Sequence, residues 1–155
     1  MCHSETVTIR IEPARPVDVD AIVGLLAELA EFYGTDVPPK ADETADALFG
    51  DPPVATVLLA WAGADLAGMA SYTYLWPSIG TTRSLFLKEL YVAAAHRHSG
   101  VGRRLMAALF DVAAERGCSR VEWTTERSNT SAQRFYADLG AAVHPTKVFY
   151  RTDLR

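Results

Sequence analysis

The chain has 155 residues, of which 49% are hydrophobic, and a formal net charge of −4, so we expect one domain with a substantial core over residues 1–155. The acidic balance gives no general attraction to nucleic acid or to an anionic membrane, and the longest apolar run, residues 54–62, is about half the ~20 residues that a membrane-spanning helix requires. Two cysteines cannot form a multi-bridge framework, and the N-terminus lacks the basic and apolar regions of a secretory signal, so we expect a cytoplasmic protein without nucleic-acid or membrane partners.

The first half of the chain predicts strands and helices in mixed order. Pro16 begins a helix whose apolar residues recur at helical spacing as far as Phe32, and Gly34 ends it. Pro52 and Pro53 break a second, shorter helix. The predicted elements are a strand at 6–11, a helix from 16 to 34, a helix at 41–48, and strands at 54–62, 66–76 and 83–92.

The second half continues with helices and strands. Val101, Leu105, Leu109 and Val112 form one apolar stripe, and Gly117 closes that helix. A strand is predicted at 120–125. Asn129 or Thr130 caps a further helix, with Gln133 at the capping-box offset from Thr130 and a buried face that includes Phe135, Tyr136 and Leu139. A last strand is predicted at 143–153. Strands and helices do not strictly alternate, so we expect an α+β fold with helices on both faces of a sheet.

The segment Arg-His-Ser-Gly-Val-Gly at 97–102 lies between the strand at 83–92 and the helix that starts at Val101. Two glycines let successive backbone N–H groups turn toward one point, and the helix adds its own unpaired N–H groups and the positive end of its dipole. This arrangement suits an anionic ligand. By itself the pattern also fits an ordinary turn before a helix.

The order of strand, Arg-x-x-Gly-x-Gly, helix, strand and Asn-x-x-Ala-x-x-Phe-Tyr-x-x-Leu-Gly-Ala resembles the GNAT superfamily of N-acetyltransferases. The runs at 72–74 and 87–92, with residues 9–10 and 26–30, look like its diamine (spermidine/spermine) acetyltransferase branch. The resemblance implies a mixed, mostly antiparallel sheet with a splayed strand pair at an acetyl-CoA site. It implies an acetyl-CoA-dependent enzyme that acts on a primary amine of a small cationic molecule, such as a diamine, a polyamine or a basic amino acid, by direct attack in a ternary complex. Related enzymes are commonly dimers, so a homodimer is expected.

Two other functions stay open at this point. One is a protein acetyltransferase that acts on N-termini or lysines, which requires an open groove. The other is a non-catalytic acyl-CoA-binding module. The presence of Tyr136 and of the glycine loop argues against a non-catalytic module. Lys88 keeps this alternative open, because related diamine acetyltransferases carry two adjacent acidic residues where this chain has Lys88 and Glu89.

Acetyl transfer to an amine requires removal of a proton, because a lysine-like amine is only about one-thousandth neutral near pH 7.4. Glu89, near the end of the strand at 83–92, is the candidate general base. The alternative is an ion pair on a solvated strand face. The leaving thiolate also requires a proton, and the resemblance gives that general-acid role to Tyr136. Without the resemblance, Tyr136 is a core aromatic on an apolar helical stripe.

The resemblance implies that cofactor binding rests mainly on backbone groups. Leu90 and Val92 would bind the pantetheine arm, and Asn129 would hydrogen-bond to it or act only as a helix cap. The residues expected to surround the pyrophosphate are Arg97, His98, Ser99, Gly100, Val101, Gly102 and Arg103. His98 stands where close relatives often have glycine, so the first turn of the loop is expected to be less tight.

The acceptor site is expected to involve residues of the first helix and its following loop, which border it in related enzymes. Glu28, Glu31 and Asp36 would attract a cationic acceptor, or are solvated residues beside an apolar stripe. Trp76 and Trp123 would line the pocket, or belong to the core. His96 and His98 lack a Cys or acidic neighbour to complete a metal shell, so no metal is expected.

Overall fold

The computed structural model describes residues 7–154, in two compact units divided between Thr124 and Thr125. The first unit is built on a five-stranded sheet in the order β1-β2-β3-β4-β5. The strands are β1 (Ile9–Pro13), β2 (Thr56–Ala62), β3 (Asp65–Leu75), β4 (Arg83–Val92) and β5 (Cys118–Trp123). The first four pair antiparallel, and β5 lies parallel to β4. The sheet is therefore mixed and mostly antiparallel, as predicted.

Helices α1 (Val19–Tyr33) and α2 (Ala41–Phe49) precede β2, and α3 (Val101–Glu115) joins β4 to β5. Side chains alternate between the two faces of a strand. On one face, Ile22 and Leu25 of α1 pack in a buried cluster with Leu59 and Met69. The sheet thus carries helices on both faces, because α3 packs on the opposite one.

Gly68 of β3 marks the contact between the sheet and α3. A Cβ at this position would lie 2.9 Å from the Tyr91 carbonyl oxygen and 3.1 Å from Val101 Cγ1. Only glycine therefore allows this close approach of helix and strand. Leu105 and Leu109 continue the stripe of α3 and are fully buried.

The predicted helices and strands of the first unit form, with small shifts at their ends. A 3-10 turn at Pro16–Asp18 precedes α1, and Gly34 and Gly117 adopt the left-handed conformation after α1 and α3. The predicted start of the first strand at Thr6 lies outside the described residues, and β1 begins at Ile9. No helix within residues 7–154 is long and apolar enough to cross a membrane.

The second unit contains α4 (Thr130–Asp138), and here two predictions need correction. The helix cap is Asn129, one of the two predicted residues, whose side-chain oxygen accepts the Ala132 N–H at 3.0 Å. Gln133 does not complete a capping box; its amide instead donates to the carbonyl oxygens of residues 126 and 127. The apolar face of α4 is half-buried rather than buried.

The strand predicted at 143–153 is wrong. No strand is present in this range, and Val148, Phe149 and Tyr150 are 72%, 63% and 87% exposed. β-propensity describes how a side chain fits a pleated, half-buried surface, so it does not produce a strand where the backbone lacks a partner in a ladder.

Candidate functional site

Strand β4 continues well beyond its pairing with β5. The last paired residues of the two strands are Leu87 and Trp123, whereas β4 remains paired with β3 as far as Val92 opposite Gly68. Within the described part of the chain, residues 88–92 therefore have a strand neighbour on one side only. This is the splayed strand pair that the family resemblance implies.

The open side of β4 carries the peptide groups of Leu90 and Val92. In an antiparallel pair, residues that bond to the partner strand alternate with residues whose peptide groups point the other way. The Ala93 N–H donates to the Ala67 carbonyl oxygen at 2.8 Å, so Ala93 belongs to the bonded set. By alternation, Leu90 and Val92 direct their N–H and C=O groups away from β3. They can therefore bond to an extended ligand laid along β4.

A β-bulge separates the paired and open parts of β4. Ser71 pairs with Glu89, but the next residue of β3, Tyr72, pairs with Leu87. Lys88 is thus the extra residue of the bulge, and it is exposed. Because a bulge bends its strand and increases the local twist, Lys88 marks the place where β4 turns away from β5.

Glu89 lies beside the C-terminal end of α1. The Tyr33 hydroxyl donates to Glu89 Oε1 over a long distance of 3.5 Å. Burial raises the pKa of Glu89 above its ordinary value, and the Lys88 ammonium and the Tyr33 hydroxyl lower it by less. A carboxyl with a raised pKa is a better proton acceptor near neutral pH, so the environment of Glu89 suits a general base.

Arg97 belongs to a cluster that joins β4 to α1. Its Nε donates to the Val92 carbonyl oxygen and its Nη2 to the Tyr91 hydroxyl, both at 3.2 Å. Its guanidinium carbon lies 5.4 Å from the centre of the Phe32 ring and 5.6 Å from that of Tyr91. These contacts occupy one acceptor of the open strand and orient the guanidinium toward α1.

Glu28 reinforces the same connection from α1. Its Oε1 accepts the Ala94 N–H at 2.8 Å, directly after β4 ends. Burial raises the pKa of Tyr91, and the Glu28 carboxylate raises it further, whereas Arg97 lowers it. The carboxylate of Glu28 is thus engaged in holding the turn after β4.

The loop at 97–102 forms a turn with two residues in the left-handed region, His98 at φ 61° and Gly100 at φ 84°. His98 therefore adopts the left-handed conformation that glycine would adopt, so the expected loosening of the turn does not occur. The Ser99 hydroxyl donates to the His96 carbonyl oxygen and braces the loop. A Cβ at Gly100 would meet no atom within 4 Å, so the space beside this residue is open.

Helix α3 begins at Val101 without a side-chain cap. The first bond of the helix runs from the Arg104 N–H to the Gly100 carbonyl oxygen at 3.1 Å. The N–H groups of the preceding residues, including Gly102 and Arg103, have no partner within the helix and carry the positive end of its dipole. Val101 is buried and anchors this end against the sheet, and Arg103 is exposed. The end of α3 therefore suits a phosphate group.

The remaining predicted acceptor residues are not gathered around Glu89. Glu31 and Asp36 line a separate hollow of about 300 Å³ beside the end of α1. Trp76 is 68% exposed, and its Nε1 donates to the Thr81 carbonyl oxygen at 3.0 Å. The ring of Trp123 lies 6.4 Å from that of Phe110 on α3, on the face of the sheet opposite α1.

Two predicted site residues lie in the second unit. Tyr136 is half-buried on α4, and its ring centre lies 5.3 Å from that of Phe135 in an edge-to-face contact. Asn129 caps α4 through its side-chain oxygen, and its side-chain nitrogen remains able to donate. Within residues 7–154 the structure contains no group of three or more His, Cys, Asp or Glu side chains arranged to hold a metal ion.

Three residues at this site were not predicted: Phe32, Tyr33 and Tyr91. Phe32 and Tyr33 lie at the end of α1, where the rings contact each other at 5.2 Å and are about half exposed. An aromatic pair in the last turn of a helix, just before a left-handed glycine, is the signal that could have indicated them. Tyr91 is buried, and its pattern resembles that of a core residue.

Comparison with known proteins agrees with this geometry. The profile of the acetyltransferase (GNAT) family matches residues 22–141. The chain is 31% identical to the D-amino-acid N-acetyltransferase HPA3 of Saccharomyces cerevisiae, over 94% of this chain and 86% of that protein. It is 30% identical to the thialysine N-epsilon-acetyltransferase of Mus musculus, over 85% and 83%. Among solved structures, an integron cassette protein from the mobile metagenome of V. cholerae has a TM-score of 0.83 and 28% identity, over 94% of this chain and 92% of that one.

Proposed function

This chain is a member of the acetyltransferase (GNAT) family, and we propose that it transfers an acetyl group from acetyl-CoA to a primary amine of a small molecule. The observation that carries the proposal is the open length of β4, whose peptide groups at Leu90 and Val92 face away from β3 and lead toward the uncapped start of α3. An extended amide chain that ends in a pyrophosphate matches this sequence of donors and acceptors. The family makes the chain an enzyme; acetyl-CoA and the amine are what we propose.

The residues present fit acetyl-CoA. Leu90 and Val92 would hold the pantetheine arm, and the N–H groups from Gly100 to Arg103 would hold the pyrophosphate. The open space beside Gly100 supports this fit, because a Cβ in the left-handed region there would narrow the cradle. When bound, acetyl-CoA supplies the acetyl group as a thioester. The family resemblance, rather than the structure, gives Asn129 a hydrogen bond to the pantetheine chain.

The chain's own residues would move two protons. Glu89 accepts the proton that the amine loses as its nitrogen forms a bond to the acetyl carbon. Tyr136 would give its hydroxyl proton to the sulfur as the carbon–sulfur bond breaks, a role that rests on the family resemblance. Solvent would then return a proton to the Tyr136 phenolate and take one from Glu89. The raised pKa of Glu89 supports the first step, and no covalent acyl-enzyme is needed for the balance of bonds and protons.

We propose a diamine, a polyamine or a basic amino acid as the acceptor. Two curated relatives are named for acceptors of the amino-acid type, a D-amino acid in one and thialysine in the other. The acidic balance of the chain and the Glu89 carboxylate favour a cationic acceptor over an anionic one.

The test is release of CoA from acetyl-CoA in the presence of a panel of amines and peptides. We expect turnover with small amines and none without an amine; turnover with peptides alone would make the chain a protein acetyltransferase. Calorimetry of Gly102→Glu tests the cofactor site, because a bulky anion in the first turn of α3 would repel the pyrophosphate. Gly24→Glu is the matched control, since Gly24 is an exposed residue of α1 and an added Cβ there would meet no atom within 4 Å. Equal affinity of both variants for acetyl-CoA would contradict the proposed site.

We also propose that the enzyme is a cytoplasmic homodimer. The apolar segment at the chain end supports a second copy as its partner, since Val148, Phe149, Tyr150 and Leu154 are 63% to 91% exposed. Analytical ultracentrifugation of the native chain and of a Phe149→Ser variant tests the dimer; we expect the variant to dissociate more readily.

A further inference from the structure

A cavity of about 350 Å³ lies between α1, α2 and the face of the sheet that α1 covers. Its walls are mainly apolar and include Leu26 of α1, Ala47 of α2, and Val57 and Met69 of the sheet. No residue of α2 is buried, so this helix covers the cavity without packing tightly into the core. The volume lies within the range of natural sites for small molecules.

The cavity adjoins the candidate base. Ser71 lines the cavity and pairs directly with Glu89 across the strands. Directly paired residues have their side chains on the same face, with Cβ atoms about 5 Å apart. Tyr33 of α1 reaches Glu89 from that same face. One end of the cavity therefore lies within one strand spacing of Glu89.

We propose that this cavity holds the hydrocarbon stem of the acceptor while its amine lies at Glu89. The proposal rests on the proposed function and adds a property of the acceptor that the family does not define. From Ser71 to Met69 the wall runs along β3 for roughly 7 Å, the length of about five methylene groups. Apolar walls attract a stem and disfavour a charge in mid-chain.

Part of the lining of the cavity is polar and fits a second polar group on such a molecule. Lys40 and Glu43, which both line the cavity, form an exposed ion pair with 3.1 Å between Nζ and Oε1. An acceptor with a polar group at the end of its stem would exchange contacts with this pair and with solvent. The occupant is therefore a primary amine on an unbranched stem that carries a second polar group.

The expected effect follows from the apolar area buried. Each methylene that enters the cavity contributes a roughly threefold to fourfold gain in kcat/KM, until the cavity is filled. Beyond about five carbons the gain should stop. Normal alkylamines of two to six carbons are suitable probes, because their basicity hardly changes with length.

The experiment measures kcat/KM for these alkylamines with the native enzyme and with two variants of α2. Where turnover is too slow, the same amines are measured as competitive inhibitors of the best acceptor. Ala47→Leu fills the cavity, and we expect it to abolish the gain in kcat/KM with length. Ala41→Leu, on the exposed start of the same helix, is the control and should keep the native dependence. Thermal unfolding establishes that both variants fold.

The outcomes separate the inference from the function on which it rests. A flat dependence on length in the native enzyme overturns the stem cavity, as does an Ala47→Leu variant that keeps the native dependence. The length dependence of kcat/KM in the native enzyme tests the stem cavity even if Ala47→Leu does not fold. If no amine is acetylated and none inhibits, the proposed function itself fails.

Discussion

Arg97 offers the sharpest test of how the candidate cofactor site is built. The resemblance gives its charge to the pyrophosphate, whereas the structure engages its guanidinium with the Val92 carbonyl oxygen, the Tyr91 hydroxyl and two aromatic rings. These contacts make Arg97 a positioning residue that holds the open strand against α1. The perturbation is Arg97→Met, which keeps most of the stem and removes the charge and the donors.

The magnitude can be worked from the contacts. Two hydrogen bonds of an exposed side chain contribute about 0.5 kcal/mol each, and two exposed cation–π contacts about 0.5 kcal/mol each. The sum of about 2 kcal/mol is an upper limit, because a methionine stem keeps part of the packing on Phe32. We expect Arg97→Met to lower the free energy of unfolding by about 1–2 kcal/mol, which corresponds to a fall in Tm of roughly 2–8 °C for a chain of this size.

The assay compares acetyl-CoA with S-acetylpantetheine, which lacks the phosphates. Arg97→Met should weaken both ligands by the same factor, because the strand that both ligands use is loosened. Arg103→Met is the matched control in the first turn of α3. It should leave Tm unchanged and weaken only acetyl-CoA, by roughly fivefold for a contact of about 1 kcal/mol.

A salt-dependent loss of acetyl-CoA affinity in Arg97→Met, with native affinity for S-acetylpantetheine and native Tm, would refute this reasoning. Arg97 would then be a phosphate ligand, and its cluster with Tyr91 and Phe32 would be incidental. If the losses of affinity for the two ligands differ only partly, the double variant Arg97→Met with Tyr91→Phe separates the two roles. Energetic coupling between Arg97 and Tyr91 is expected only if Arg97 positions the strand.

Three further predictions concern the chemistry. Tyr136→Phe should keep the fold and acetyl-CoA affinity while lowering kcat about 10²- to 10⁴-fold, and native turnover across the pH range would show that the thiolate leaves unaided. Because Lys88 lowers the pKa of Glu89, Lys88→Met should raise that pKa and move the acid limb of the kcat/KM profile to higher pH. Glu89→Gln should abolish the acid limb. An unchanged acid limb in both variants excludes Glu89 as the base. Diamines should exceed monoamines of equal length in kcat/KM, with a difference that shrinks as ionic strength rises, and equal or better use of acidic amino acids would contradict the cationic acceptor.

The sequence predicted the elements of the first unit well, because its apolar residues recur at a clear period. The stripe from Val101 to Leu109 buries one face of α3, and the continuous apolar run of β2 is buried on both faces of the sheet, so that each pattern indicates its element. The splayed strand pair followed from the family resemblance rather than from the pattern. Pairing between strands is a long-range property, and nothing local in residues 88–92 indicates that β5 turns away at Trp123.

Two failures have the same physical origin. The segment around Phe149 has the composition of a strand but no partner ladder within its unit, and composition does not report on partners. Similarly, the acidic residues of α1 look equivalent in sequence. The structure separates them, because Glu28 faces the turn after β4 whereas Glu31, about 60° around the helix, lines a separate hollow.

The loop at 97–102 allows a last prediction, on whether its left-handed residues serve folding or ligand binding. His98 at φ 61° carries a Cβ where glycine would be relaxed, and such a residue costs roughly 1 kcal/mol. Replacement by glycine removes this cost, but the greater freedom of glycine in the unfolded chain offsets about 0.5–1 kcal/mol of the stabilisation. His98→Gly should therefore change the free energy of unfolding by less than about 1 kcal/mol.

Gly100→Ala should behave differently, although both residues lie in the same turn. Alanine at φ 84° is strained by its backbone alone, since the added Cβ would meet no other atom, so we expect destabilisation of about 1–2 kcal/mol by urea unfolding. In a ligand titration the same variant should lose affinity for acetyl-CoA but not for S-acetylpantetheine, because relaxation of the turn redirects the N–H groups that face the pyrophosphate. A stable Gly100→Ala variant with native affinity for both ligands would mean that the left-handed turn is not required to form the anion cradle.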